Sequence, residues 1–214
     1  MVTPLHIGVL ALQGAFREHR LALERCGAKV TELRRRQEDT PLGGLEKFDG
    51  IVLPGGESTA MGRLLVDRGL LEPLRACIGR GMPVFGTCAG LILLSRELEG
   101  PDGTLLEQPH LGVLHCRVRR NAFGRQTDSF ETALEVKGVA QALEAVFIRA
   151  PLIVSTGPGV ECLSFVETGE GMLPVAVRQD NILASSFHPE LTDDLRFHAF
   201  FLDMCRAWRE QGRA

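Results

Sequence analysis

Short apolar runs, most of them closed by glycine or proline, alternate in the first half of the chain with longer stretches whose apolar positions recur every three or four residues. Residues 5–12, 28–34, 50–53 and 83–86 form the runs. They are too short for buried helices and read as strands covered on both faces. Between them, residues 15–26 and 58–80 carry helical periodicity, the second stretch broken near Gly69, and 89–97 reads as a further helix. Residues 39–46 form a loop or a short helix. This β-α-β-α order predicts a parallel sheet with right-handed crossovers and helices on both faces. After residue 112 the pattern changes. Segments 113–136, 145–148 and 162–187 alternate short strands with turns such as Glu167-Thr168-Gly169-Glu170-Gly171, which predicts antiparallel extension of the sheet, and 193–209 closes the chain as an amphipathic helix. The expected fold class is α/β: three layers, with a mostly parallel central sheet flanked by helices, in a single domain over residues 1–214.

Composition narrows the function. The chain has 214 residues, 44% of them hydrophobic and 24% charged, enough for one substantial core. With a formal net charge of -3 it offers no broad basic surface for nucleic acid. No apolar run approaches the ~20 residues that span a bilayer. Neither nucleic acid nor membrane is therefore expected as a partner. Arg34-Arg35-Arg36 reads as a solvated strand end. The six cysteines lie scattered, without a C-x-x-C pair or the spacing of metal ligands, so no metal or organic cofactor is called for. Leu5 to Leu12 is a short strand, not the apolar core of a secretory leader, and the expected setting is a reducing cytoplasm.

One strand end carries unusual punctuation. In Gly86-Thr87-Cys88-Ala89-Gly90 the glycines stand two residues either side of a cysteine at a strand-to-helix turn, the spacing of a nucleophile elbow. Small neighbours allow close approach there, and a helix N-terminus favours thiolate, the reactive form. A second strand ends in His188-Pro189-Glu190. The histidine can face the same sheet edge, and the glutamate can turn back onto its ring because Pro189 limits the link. Nucleophile, base and orienting acid then follow in chain order. A third strand runs into Pro54-Gly55-Gly56-Glu57-Ser58, where bare backbone N–H groups suit an oxyanion or a carboxylate. The Gly-Lys-Ser/Thr ending of a nucleotide-binding loop is missing.

Taken in order, these segments resemble the class I (triad) glutamine amidotransferases, whose fold is flavodoxin-like. Within that family the chain is similar to the glutaminase subunits that feed pyridoxal 5'-phosphate (vitamin B6) synthesis. The likeness rests on Leu12-Gln13-Gly14-Ala15 with Glu18-His19, on 53–59 and 85–91, on Arg120-Asn121 with Phe123-Gly124-Arg125-Gln126 and Asp128-Ser129-Phe130, on 147–151, and on 186–192. A longer stretch at 100–108 looks like a loop insertion without consequence for the chemistry. The resemblance implies hydrolysis of L-glutamine to L-glutamate and ammonia by Cys88, His188 and Glu190. The Ala89 N–H, with Gly55 or Gly56, would supply the oxyanion hole. Gly56, Glu57, Ser58, Arg120, Ile148 and Arg149 would line the glutamine pocket, an arginine taking the α-carboxylate and a carboxylate the α-ammonium.

The same resemblance implies a synthase subunit as partner, in a large hetero-oligomer, with Gly55-Gly56 as the element that docking reorients and Gln13 near the interface. Asn121, Arg125 and Gln126 shape either the pocket or the docking face. Glu18 and His19 are read as interface or solvated surface, and His6, His110, His115 and His198 as structural, without partners at useful spacing. Two other readings stay open: a glutaminase serving another pathway, such as histidine or purine synthesis, and a non-catalytic regulatory or scaffold protein on the same fold.

Overall fold

In a computed structural model of the chain, which describes residues 3–38, 40–120, 129–168 and 171–212, the first half follows the alternating pattern. In order come β1 (His6–Leu10), α1 (Phe16–Arg25), β2 (Lys29–Leu33), β3 (Gly50–Leu53), α2 (Ser58–Asp67), α3 (Leu71–Gly79), β4 (Val84–Thr87) and α4 (Ala89–Leu94). The second half contains β5 (Ser95–Glu99), β6 (Leu114–Arg119), β7 (Ser129–Leu134), β8 (Leu143–Ile148), β9 (Leu152–Thr156), β10 (Glu161–Thr168), β11 (Gly171–Gln179), β12 (Ile182–Ser185) and α5 (Arg196–Glu210).

A seven-stranded sheet with the order β10-β11-β12-β4-β3-β1-β2 forms the middle layer. The five strands from β12 to β2 pair in parallel, while β10 and β11 extend the sheet in antiparallel fashion. Not all of the later strands join it: β5, β6 and β9 form a three-stranded sheet, and β7 and β8 a two-stranded one.

The central strands are apolar throughout because both faces are covered, so successive side chains enter different cores. Ile51, Leu53, Val84, Ile182 and Ala184 join one cluster with Met61, Leu65, Leu74 and Ile92 of α2, α3 and α4. Val52, Phe85 and Leu183 join the other with Leu23 of α1 and Phe197, Phe201 and Leu202 of α5. Burying one such phenylalanine or leucine contributes about 1.5–3 kcal/mol. The break near Gly69 is real: α2 ends at Asp67, and Gly69 adopts φ +65 before α3 begins.

The helix expected over 89–97 stops at Leu94. Ser95 Oγ donates to the Leu91 carbonyl at 2.8 Å, and the chain then pairs with β6, placing Glu97 beside Arg117 and Glu99 beside Arg119. Both pairs are ionic, so a polar stretch that would suit an exposed helix is claimed by cross-strand partners. No described helix is long and apolar enough to cross a membrane.

Candidate active site

Ligands of open parallel sheets bind beyond the carboxyl ends of the strands. Gly55, Cys88 and His188 follow there within three residues of the ends of the neighbouring strands β3, β4 and β12, with Leu53 beside Gly86 and Ser185 beside Thr87. Strand order therefore gathers three segments that are far apart in the sequence.

Cys88 occupies φ 49, ψ -100, a strained conformation for a residue with a side chain. The surroundings hold it there. Its N–H donates to the Ser185 carbonyl at 2.8 Å, and its carbonyl accepts from the Ile92 N–H at 3.1 Å. The flanking glycines are needed for space: a Cβ on Gly90 would lie 2.0 Å from the Leu53 carbonyl oxygen, and one on Gly86 would lie 2.7 Å from the Gly90 carbonyl carbon.

His188 is fixed by its own backbone, whose N–H donates to the Val146 carbonyl of β8 at 2.8 Å. Pro189 starts a single 3-10 turn, Pro189–Leu191, that returns Glu190 to the ring. Its Oε1 accepts from His188 Nδ1 at 2.7 Å, and Cys88 lies close enough to the same imidazole to raise its basicity. Gly55 packs on the ring, since a Cβ there would lie 2.3 Å from His188 Cε1. Burial alone would lower the basicity of this histidine, but Cys88 and Glu190 outweigh it and push the pKa up to about 10. Burial also opposes charge on Glu190, yet His19 and His188 hold its carboxyl below the usual range. The site is thus built to keep His188 protonated beside the Glu190 carboxylate.

A folded-state pKa near 10 against an ordinary value of 6.5 carries a stability signature. The imidazolium contributes fully below about pH 6.5, and its contribution disappears as pH rises toward 10. Urea unfolding of the wild-type protein and of His188→Gln should therefore differ most near about pH 6 and converge near about pH 10. A difference that does not change with pH would contradict a charged ring.

Around the start of α2, Glu57 accepts from the N–H groups of Thr59 and Ala60 at 2.9 and 2.7 Å, so Glu57, not Ser58, caps the helix. Arg120 bonds Glu57 Oε1 at 2.9 Å, Thr59 Oγ1 at 2.8 Å and Gln108 Oε1 at 2.9 Å. Ser58 is buried, with its Oγ 3.4 Å from Gln108 Nε2. Gln108 belongs to the stretch that looked inconsequential, and it touches the candidate glutamine-binding group directly. Gln13 accepts from the Glu57 N–H at 2.7 Å. Ile148 ends β8, and the exposed Arg149 that follows it adopts φ 43, another strained position. Asn121, Arg125 and Gln126 lie outside the described residues.

One histidine sits otherwise than the sequence suggests. Glu18 is exposed, as a surface residue should be, but His19 is fully buried and lies under the carboxylate, its Nε2 3.3 Å from Glu190 Oε2. The same nitrogen is 3.0 Å from Thr87 Oγ1, and His19 Nδ1 is 3.0 Å from His198 Nε2. His198 is therefore partnered. The signal was present: Phe16, His19 and Leu23 fall on one helical stripe, as do Phe197, His198, Phe201, Leu202 and Cys205.

Among the described residues, no three His, Cys, Asp or Glu side chains form a group that could hold a metal ion. Burial pushes the thiols of Cys77 and Cys116 up to about 11 and about 12, and raises those of Cys26 and Cys205.

Comparison with known proteins agrees with this geometry. The model of the SNO glutamine amidotransferase family matches residues 9–207. The subunit PdxT of pyridoxal 5'-phosphate synthase from Carboxydothermus hydrogenoformans is 50% identical over 93% of this chain and 97% of its own. The protein of the same name from a Parafrankia species is 54% identical over 94% and 93%. A crystal structure of a glutamine amidotransferase superposes with a TM-score of 0.82 at 47% identity, covering 94% of this chain and 98% of the other. The PurLQS structure from Thermotoga maritima, at 15% identity and a TM-score of 0.62, covers 97% of this chain and 100% of its own and shares the fold alone. A match over nearly the whole chain, at about half identity to curated relatives, settles the family: the chain belongs to the SNO glutamine amidotransferases.

Proposed function

We propose that the protein hydrolyses L-glutamine and supplies the ammonia to a synthase subunit that makes pyridoxal 5'-phosphate. The observation that carries the chemistry is the connected set of Cys88, His188 and Glu190 at one sheet edge, and the pathway follows the relatives named PdxT. In this reading the Cys88 sulfur attacks the side-chain amide carbon. His188 holds the thiol proton and passes it to the leaving nitrogen as the C–N bond breaks, so ammonia departs and a thioester remains. Water, losing a proton to His188, then attacks the thioester carbon, and the thiol returns as glutamate leaves. Glu190 keeps the ring in the correct tautomer and balances its charge.

The tetrahedral oxyanion needs donors. The Ala89 N–H, in the first turn of α4, has no partner within its own helix and is one candidate. The other is an N–H of Gly55 or Gly56. The Gly55 carbonyl accepts from the Ala15 N–H at 3.0 Å, which fixes the direction of the Gly55–Gly56 peptide. A docked synthase subunit that releases this bond would re-aim the amide, so the free chain is the slow form.

For substrate holding, Glu57 and Arg120 are assigned to the α-ammonium and α-carboxylate, with Gly56, Ser58, Ile148 and Arg149 around them. The two charged groups neutralise one another when no substrate is present. Glutamine-dependent formation of pyridoxal 5'-phosphate on mixing with a synthase subunit tests the proposal. Glutamine hydrolysis unaffected by that subunit, or stimulated only by the synthase of another pathway, would overturn it.

A further inference from the structure

The triad as read above leaves one of its own atoms unexplained. Glu190 is buried, its Oε1 serves His188, and its Oε2 has no hydrogen-bond partner of good geometry among the described residues although it is shielded from solvent. A carboxylate oxygen without a donor in such a place is costly to keep charged. The nearest nitrogen is His19 Nε2, at 3.3 Å.

Two tautomers of His19 are conceivable, and their surroundings separate them. With the proton on Nδ1, that N–H would point at His198 Nε2, and the lone pair of Nε2 would face the anionic Oε2. The proton on Nε2 places a donor between Glu190 Oε2 and Thr87 Oγ1 and lets Nδ1 accept from His198 Nε2–H. Only the second arrangement gives the carboxylate a favourable neighbour. His198 Nδ1, which has no hydrogen-bond partner among the described residues, is then an unprotonated acceptor in an aromatic setting of Phe85 and His19.

We propose that His19 is a positioning residue for glutamine hydrolysis, its Nε2–H holding the outer oxygen of Glu190, and that His198 locks His19 in the required tautomer. The inference rests on the triad reading. A neutral chain of donors then runs from His198 through His19 to Glu190, whose other oxygen orients His188 against Cys88. Burial lowers the basicity of both outer rings, that of His198 to about 3. The titratable groups facing His19 are Glu190, His188 and His198, with Glu18 on its own helix.

The test measures two things on His19→Leu, His19→Gln and His198→Phe: kcat and KM for glutamine in complex with the synthase subunit, and the pH dependence of Cys88 alkylation by iodoacetamide. Without the donor, Glu190 takes up a proton more readily or turns away from the ring, and His188 loses the anion that orients it against Cys88. His19→Leu is expected to lower kcat roughly 10- to 100-fold, short of the ~10⁴ loss that follows a wrong tautomer in a triad, with KM little changed. Its alkylation profile should move alkaline by about one pH unit, the scale of one charge-assisted hydrogen bond. His19→Gln keeps an N–H near the Nε2 position and should recover most of both.

Where His19→Leu does not fold, His198→Phe carries the test, since it keeps an aromatic ring but releases the tautomer, and its alkylation profile should shift in the same direction. An unchanged profile in a folded His19→Leu or His198→Phe protein overturns the inference. So does failure of His19→Gln to do better than His19→Leu. Cys88→Ala run in parallel separates the two levels: if it still turns over glutamine, the triad reading itself has failed.

Discussion

Cys88→Ala is expected to release no glutamate from glutamine above background, while the protein folds, docks and supports synthesis of pyridoxal 5'-phosphate from added ammonium salts. The loss should be complete because the thiol is the only group at the elbow that can form the acyl intermediate; removing the nucleophile of a triad costs about 10⁶ in kcat. Folding should survive because the special backbone at Cys88 is held by the Ser185 and Ile92 bonds and by the glycines at 86 and 90, none of which involves the sulfur. Alanine still has to adopt φ 49, as cysteine does, so the strain is unchanged in kind. Glutamate release and ammonium-fed synthesis, measured on one preparation, check both halves. Persistent glutaminase activity would contradict the assignment of the nucleophile.

Gly55→Ala should also be damaging, although it deletes nothing. The added Cβ would lie 2.3 Å from His188 Cε1 and 2.8 Å from its Nδ1, so one of the two must move. The ring is the less free to adjust where it stands, being tied to Glu190 at one nitrogen and close to Cys88. Displacement by even about 1 Å costs on the order of 10²-fold in rate, so kcat should fall by at least that factor. The thermal midpoint should change little, because Gly55 does not adopt a positive φ that alanine would resist. A kcat within a few-fold of wild type would mean that the loop does not press on the ring. Alanine at Gly90 should behave differently, because its Cβ would meet backbone, 2.0 Å from the Leu53 oxygen, and the fold itself should suffer.

Much of this was legible before any coordinates. The central strands are apolar runs because both their faces are buried, and glycine or proline closes them where the chain must turn over the sheet edge. That punctuation located Gly55, Cys88 and His188. The spacing of His188-Pro189-Glu190 was enough to foresee the 2.7 Å bond, since a two-residue link through proline has few shapes. The end of α4 was not legible: Ser95 to Glu99 is polar and compatible with a helix, and only the arginines of β6, about 20 residues further on, draw it into a strand.

The environment of Arg120 was hidden for a similar reason. Its partners Glu57, Thr59 and Gln108 come from two distant segments, and no local pattern reports such a meeting. His19 and His198 are another matter. Their places on the buried stripes of α1 and α5 could have been counted, but a histidine on an apolar stripe reads as packing until its neighbour is known to be a charged carboxylate.

The central claim is that Cys88 is an activated nucleophile aimed at a glutamine side chain. Mass-spectrometric mapping after treatment with an electrophilic glutamine analogue tests it most directly, in the presence of the synthase subunit and with competing glutamine as control. The account predicts one adduct per chain, on Cys88, suppressed by glutamine and absent from His188→Gln, with the high-pKa thiols of Cys26, Cys77, Cys116 and Cys205 untouched. An adduct on another cysteine, or none while glutamine is still being hydrolysed, would contradict it.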